Sequence, residues 1–297
     1  MVKQKYLDKA EILIEALPYI QRLSGKIIVI KYGGSAMLDD DLKTKVIEDA
    51  VLLKLVGFKP VIVHGGGKEI NKWVSKLGMT PNFIEGFRVT DSDTMELVEM
   101  VLSKVNKELV AKVQPLGVNA VGISGKDGGL LKVKKKTPGG KDIGFVGDVV
   151  SVDTKLVEDL IEKDFIPIIF PVGMDENFVT YNVNADEAAS SIAMGLHAEK
   201  LVFLSDVEGV RKIPDDPESV CPELYVSEAE ALIESGVISG GMLPKIQNCI
   251  DALRGGISRI HIMDGRTPHS LLLEIFTHKG IGTAILNDKE EKYWNGK

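Results

Sequence analysis

Short, unbroken apolar runs rich in β-branched residues recur along the 297-residue chain, and stretches with helical spacing lie between them. The clearest runs are residues 26–31 (KIIVIK), 60–63 (PVIV), 118–123, 166–172 (IPIIFPV), 200–204 (KLVFL) and 258–263 (SRIHIM). Runs without polar alternation need cover on both faces, and strands covered on both faces pair mainly in parallel. The expected fold is therefore α/β, a three-layer αβα sandwich around a mainly parallel central sheet.

Between the runs, Met95, Val98, Leu102, Val105 and Leu109 fall at helical spacing behind the cap candidates Thr90 and Asp91. Val46, Ala50 and Leu53 do the same, as do Ala185, Ala188, Ala189, Ile192 and Leu196, whose small side chains let that helix lie close to a neighbour. Two segments read as hairpins, residues 130–152 around Thr137-Pro138-Gly139-Gly140 and residues 173–182 around Asp175-Glu176-Asn177. Residues 7–23 are amphipathic but contain Pro18, which kinks a helix, and they stand outside the strand–helix alternation. That helix either packs on its own domain or docks on another subunit. A chain of this length predicts roughly two domains. We expect a kinked helix over 1–23, a first lobe over 24–196 and a second over 197–297, divided near Gly195-Leu196-His197.

Charge and cysteine content exclude several classes of function. A net charge of −7 has the wrong sign for a general nucleic-acid binder. Cys221 and Cys249 lack metal or redox spacing, residues 1–8 contain no apolar signal core, and no apolar stretch is long enough to span a membrane. The expectation is a soluble cytoplasmic protein with no nucleic-acid or membrane partner.

The 30 glycines cluster behind apolar runs. Lys31-Tyr32-Gly33-Gly34-Ser35 ends the first run, where paired glycines let backbone N–H groups approach an anion and Lys31 adds a cation; an ordinary tight turn is the alternative. Val63-His64-Gly65-Gly66-Gly67-Lys68 repeats the arrangement before a helix, and a structural turn seldom needs three glycines. His64 alone reads as a packing histidine. Walker A is absent, because no Gly-Lys pair precedes Ser or Thr, and Ile70 occupies the position where a dinucleotide fingerprint needs its last glycine.

Arg88, in Gly86-Phe87-Arg88-Val89-Thr90-Asp91, either offers a guanidinium fork to a substrate carboxylate or bridges to local acids. In Tyr181-Asn182-Val183-Asn184-Ala185-Asp186, Asn184 can cap the helix and Asp186 complement its dipole, which leaves Asn182 without a role. Lys245, in Ser239-Gly240-Gly241-Met242-Leu243-Pro244-Lys245, sits in a first turn against the dipole, so it is either solvated or holds an anion. The basic run Lys132, Lys134, Lys135, Lys136 and Lys141 lacks interleaved aromatics and reads as a solvated hairpin face.

Taken in order, K-Y-G-G-S, V-H-G-G-G, G-F-R-V-T-D, N-V-N-A-D, L-S-D-V-E-G-V and G-G-M-L-P-K resemble the amino acid kinase family from about Lys26 to Leu286. The G-x-R-V-T and N-V-N-A-D motifs are similar to those of the branch that phosphorylates N-acetyl-L-glutamate. The resemblance implies transfer from ATP to the side-chain carboxylate of N-acetyl-L-glutamate, an arginine-biosynthetic step, with Mg²⁺ carried on the nucleotide and no separate protein metal site. It implies that Lys31 and Lys245 flank the transferring phosphoryl group and that Asp186 orients them. Gly33 and Gly34 would donate N–H groups to phosphate, Gly66 and Gly67 to substrate, while Arg88 and Asn182 would hold the acceptor's α-carboxylate. ATP would lie against Asp206, Val207, Glu208, Gly209, Val210 and Arg211, and against Val237, Ile238, Ser239, Gly240, Gly241 and Met242. The N-terminal helix and residues 269–283 resemble members inhibited by L-arginine, which implies arginine contacts at Tyr19, Lys200, Glu274 and Gly282 and a homohexamer, a trimer of dimers, interlaced by N-terminal helices. The alternatives are another kinase of this fold with a different acceptor, or a non-enzymatic arginine sensor.

Overall fold

A computed structural model describes residues 11–277 and 280–289. In chain order the strands are β1 (Ile27–Tyr32), β2 (Lys59–His64), β3 (Phe83–Ile84), β4 (Phe87–Arg88), β5 (Ala120–Ser124), β6 (Leu131–Lys135), β7 (Val146–Val152), β8 (Ile166–Phe170), β9 (Val172–Met174), β10 (Thr180–Val183), β11 (Lys200–Ser205), β12 (Glu223–Tyr225), β13 (Arg259–Asp264) and β14 (Thr283–Leu286). An eight-stranded sheet runs β12-β14-β13-β11-β1-β2-β8-β5. All of its pairs are parallel except β13–β14. Every apolar run named above supplies one of these strands.

Successive side chains of a strand point to opposite faces, and the core divides accordingly. Val29, Val61, Leu201 and Phe203 belong to one buried cluster, while Ile28, Ile30, Ile62, Val202 and Leu204 belong to a second cluster across the sheet. Helices cover both faces. Ala188, Ala189, Ile192 and Ala193 of helix Ala185–Gly195 pack in the first cluster, and Val46, Ile47, Ala50 and Leu53 of helix Asp40–Leu55 in the second. Three layers result. Helix Ser92–Val113 begins at Asp91, whose carboxylate accepts from Thr94 N at 2.8 Å, so the cap is Asp91 and not Thr90.

The structure departs from the sequence-based expectation in three places. The run 166–172 is two strands, because Pro171 has no N–H for the ladder and the chain passes from β8 to β9 in another sheet. Strands β6, β7, β9 and β10 close into a small barrel built from the two expected hairpins. Lys136 is not solvated: its side chain is 14% exposed and its Nζ lies 2.6 Å from Asp148 Oδ1 and 2.8 Å from Glu187 Oε1.

The N-terminal helix kinks as expected. Residues 11–15 are helical, a turn follows at Ala16, and Pro18 lies in the first turn of helix Leu17–Leu23, where a missing N–H costs nothing. Residues 1–10 of the expected 1–23 segment, and 278–279 of the 269–283 segment, lie outside the described residues. No described helix is long and apolar enough to cross a membrane.

Candidate active site

The two glycine turns sit side by side at the carboxyl edge of the sheet. Tyr32 and His64 are register partners at the ends of β1 and β2, and Gly65 N donates to Tyr32 O at 2.8 Å. Lys31, one residue short of the end of β1, aims its Nζ at Asp186 Oδ1, 2.8 Å away. From the other side, Lys245 in helix Met242–Arg254 donates to Asp186 Oδ2. One carboxylate thus bridges two ammonium groups from distant parts of the chain. Burial opposes ionisation of Asp186, yet Lys31 and Lys245 hold its carboxyl well below the usual carboxylate range.

Helix capping presents Asp186 to them. Asn184 Oδ1 accepts from Asp186 N at 2.8 Å and from Glu187 N at 3.2 Å, closing the first turn of helix Ala185–Gly195. The cap reading of Asn184 holds, and Asp186 combines dipole complementation with the lysine bridge.

Arg88 closes the opposite wall of the same cleft. Its Nη2 donates to Gly67 O at 3.1 Å and to Asn71 Oδ1 at 2.6 Å, and the guanidinium stacks 4.8 Å from the centre of the Phe83 ring. It does not bridge to local acids. Its Nη1 is buried without a hydrogen-bond partner, and burial lowers its pKa. A buried guanidinium N–H left unpaired is expensive, and an acceptor carboxylate would satisfy it. Gly33, Gly34, Gly66, Gly67 and Asn182 line the space between Arg88 and the Lys31–Asp186 pair, a cleft of about 270 Å³. That is the scale of a small-metabolite site. His64 is no part of this chemistry: it is fully buried, its Nδ1 donates to Gly65 O, its Nε2 accepts from Asn106, and burial pushes it down to about 4.

A second cleft lies beyond Asp206. Asp206, Val207, Glu208, Gly209, Val210, Arg211, Val237, Ile238, Ser239 and Met242 line it, whereas Gly240 and Gly241 do not. Pro214 and Arg266 also line it, although no motif points to them. Asp206 of the second cleft is tied to the residue after Gly34 of the first: its Oδ1 accepts from Ser35 N at 2.6 Å and its Oδ2 accepts from Ser35 Oγ at 2.9 Å. A Cβ on Gly34 would collide with Asp206 Oδ1, and Gly34 has a φ of +77°, so both contact and backbone favour glycine there. Lys68 Nζ lies 3.3 Å from Asp206 Oδ2 and also donates to Ser35 Oγ. Sequence reasoning passed over Lys68, although it opposes a helix dipole as Lys245 does. Among the described residues, no group of three or more His, Cys, Asp or Glu side chains is placed to hold a metal.

A third, buried cluster gathers most of the residues that the resemblance assigns to arginine. Lys200 Nζ lies 3.0 Å from His261 Nε2, His261 Nδ1 lies 2.7 Å from Glu274 Oε1, and Glu274 Oε2 accepts from Gly282 N at 3.0 Å. Burial and the nearby Arg259 push Lys200 down to about 8, and burial with Lys200 pushes His261 down to about 4. Tyr19 lies on helix Leu17–Leu23, whose Arg22 is close enough to depress Lys200 further. Sequence reasoning did not single out His261 or Arg259, which lie inside an apolar strand run. Cys221 and Cys249 are buried free thiols.

The sequence pattern of the amino acid kinase family matches residues 26–264. The acetylglutamate kinase of Heliobacterium modesticaldum is 55% identical over 95% of this chain and 99% of its own length. In solved structures, the N-acetylglutamate synthase of Neisseria gonorrhoeae, complexed with coenzyme A and N-acetyl-glutamate, superposes with a TM-score of 0.83 at 28% identity. The match covers 95% of this chain and 64% of the synthase, so this chain spans just under two thirds of that protein. The same synthase complexed with coenzyme A and L-arginine gives a TM-score of 0.81 at 27% identity, covering 93% of this chain and 65% of the synthase.

Proposed function

The chain belongs to the amino acid kinase family, and on that premise we propose that it transfers the γ-phosphoryl group of ATP to the side-chain carboxylate of N-acetyl-L-glutamate, giving ADP and N-acetyl-L-glutamyl 5-phosphate. The observation that carries this reading is the meeting of Lys31 and Lys245 on one carboxylate, Asp186, where Lys31 and Asp186 line the same small cleft as Arg88.

The nucleophile is a carboxylate with an ordinary pKa of about 4.3, ionised at neutral pH, so no general base is needed. The barrier is the approach of an anion to a polyanion, and neutralisation with positioning lowers it. In this reading Lys31 and Lys245 stabilise charge on the transferring group from two sides, and Asp186 keeps both ammonium groups aimed at one point. Gly33 and Gly34 offer N–H groups to phosphate, and Gly66 and Gly67 offer theirs to the acceptor. Arg88 and Asn182 hold the acceptor's α-carboxylate, which would occupy Nη1. ATP lies in the second cleft, from Asp206–Arg211 to Val237–Met242. Mg²⁺ carried on ATP would be held mainly by phosphate and water and would neutralise phosphate charge, with Asp206 and Glu208 the acidic side chains of the second cleft. Residues 24–196 then form the acceptor lobe and 197–297 the ATP lobe.

Feedback inhibition by L-arginine and assembly into a hexamer belong to the same proposal. They are supported by the buried Lys200–His261–Glu274 cluster beside the N-terminal helix, by the exposed Ile12, Leu13 and Ile14 on that helix, and by likeness to a synthase solved with L-arginine. The test is ADP release with N-acetyl-L-glutamate, glutamate, aspartate, carbamate and UMP in parallel, with and without arginine. We expect turnover with the first acceptor alone and a fall when arginine is added. Turnover only with another acceptor would assign a different kinase of this fold, and no turnover with arginine binding retained would assign a sensor.

A further inference from the structure

The reaction above uses no member of the basic run, and Lys136 is the least exposed of those in ion pairs. Its Nζ makes three contacts that lead to different parts of the acceptor cleft. It lies 2.8 Å and 3.1 Å from the two oxygens of Glu187, the residue after Asp186. It also lies 2.6 Å from Asp148 Oδ1 on β7, and 4.1 Å from the centre of the Phe87 ring. Phe87 lines the acceptor cleft and precedes Arg88 on β4.

We propose that Lys136 is a positioning residue of the acceptor site, clasping Phe87 on one side and Glu187 on the other so that the strand presenting Arg88 and the helix start presenting Asp186 keep a set separation. The inference rests on the acceptor reading above and deepens it. Two physical effects follow from the contacts. First, Phe87 is tethered by a cation over its face, an electrostatic attraction to the ring that strengthens as the pair loses water. Second, Glu187 and Asp148 are acids close to the site of an anionic acceptor, and Lys136 sets one positive charge between them. Burial already raises the Glu187 pKa, and Lys136 opposes that rise. Without the lysine, the two acids lose the cation between them, and the helix start that carries Asp186 loses its tie to Phe87 and β7. A neighbouring clasp reinforces the hairpin tip, where Lys141 Nζ reaches Glu85 Oε1 at 3.4 Å.

A purely structural ion pair would change folding without distinguishing the substrates, so the test reads the two substrates separately. In the full chain, Lys136→Gln should raise the KM for N-acetyl-L-glutamate about tenfold, the size of one lost buried contact. The KM for ATP should stay within about twofold, and Lys136→Arg should recover most of the loss. Equal changes in both KM values, no change in either, or an arginine variant no better than glutamine would overturn the proposal. If Lys136→Gln does not fold, Phe87→Leu keeps the apolar wall but removes the ring, and an acceptor KM unchanged in that variant overturns it as well. Parent protein inactive on N-acetyl-L-glutamate would instead sink the acceptor assignment, so the two failures are distinct.

Discussion

Asp186 has two neighbours that oppose its burial, and that competition organises the site. Desolvation alone would keep its proton on, but Lys31 at 2.8 Å and Lys245 on the second oxygen keep it ionised. The carboxylate in turn holds two like charges near one point, which neither lysine would do alone. Lys245→Ala should therefore lower kcat by roughly 10²–10³-fold, the usual loss for one preorganised charge donor, with substrate KM values changing much less. Steady-state kinetics on the purified variant decides it, and an unaltered kcat would remove Lys245 from the transition state. Lys31 was legible because a lysine at a strand's carboxyl edge before two glycines has a direction, and Lys245 because it opposes a helix dipole. Lys136 was not legible: its partners Asp148 and Glu187 lie on other elements, and no local pattern announces such a contact.

At the scale of elements, Asp49 joins two neighbouring helices that are far apart in sequence. It lies in helix Asp40–Leu55, is buried, and pairs at 2.5 Å with Nδ1 of His269, which caps helix Ser270–Phe276. Its second oxygen is buried without a partner. Burial outweighs the histidine and pushes the carboxyl up to about 6. A carboxyl whose folded pKa exceeds its unfolded value of about 3.9 binds protons more tightly when folded, so it costs stability as pH rises from 4 through 6. The full cost, reached above pH 6, is about 3 kcal/mol. Asp49→Asn keeps an acceptor for His269 and cannot ionise. The stability of this variant relative to the parent should improve between pH 4 and pH 7, read from urea midpoints, and a difference independent of pH would disprove the account. The long apolar runs were readable as strands because a fully buried strand needs every side chain apolar. Strands β12 and β14 were not, because three or four residues are too few to show a period. Their pairing depends on what lies beside them: β14 runs antiparallel to β13 and parallel to β12.

For the whole molecule, the central sheet crosses the expected lobe boundary. β1 and β11 pair directly, from Ile28 opposite Lys200 to Tyr32 opposite Leu204. The N-terminal helical segment leaves the core toward its start: Leu23 packs in the cluster with Ile28 and Ile30, while Leu13 is 72% exposed. Exposed apolar residues in a row on one helix suit a subunit contact. If the proposed hexamer forms through this helix, deleting residues 1–23 should leave a dimer in sedimentation velocity and weaken the proposed inhibition by arginine. A truncated protein that still sediments as a hexamer would refute the docking role. The strand–helix alternation, the parallel core, the glycine turns at the sheet edge and the helix caps were all set by local chemistry, since burial on both faces, free backbone N–H groups and unsatisfied helix ends act within a few residues of sequence. Only the folded chain decided which of those ends meet. The Asp186 bridge, the Lys68–Asp206 pair and the Lys136 clasp each unite charges far apart in sequence, because attraction between charges depends on distance in space, and only tertiary packing sets that distance.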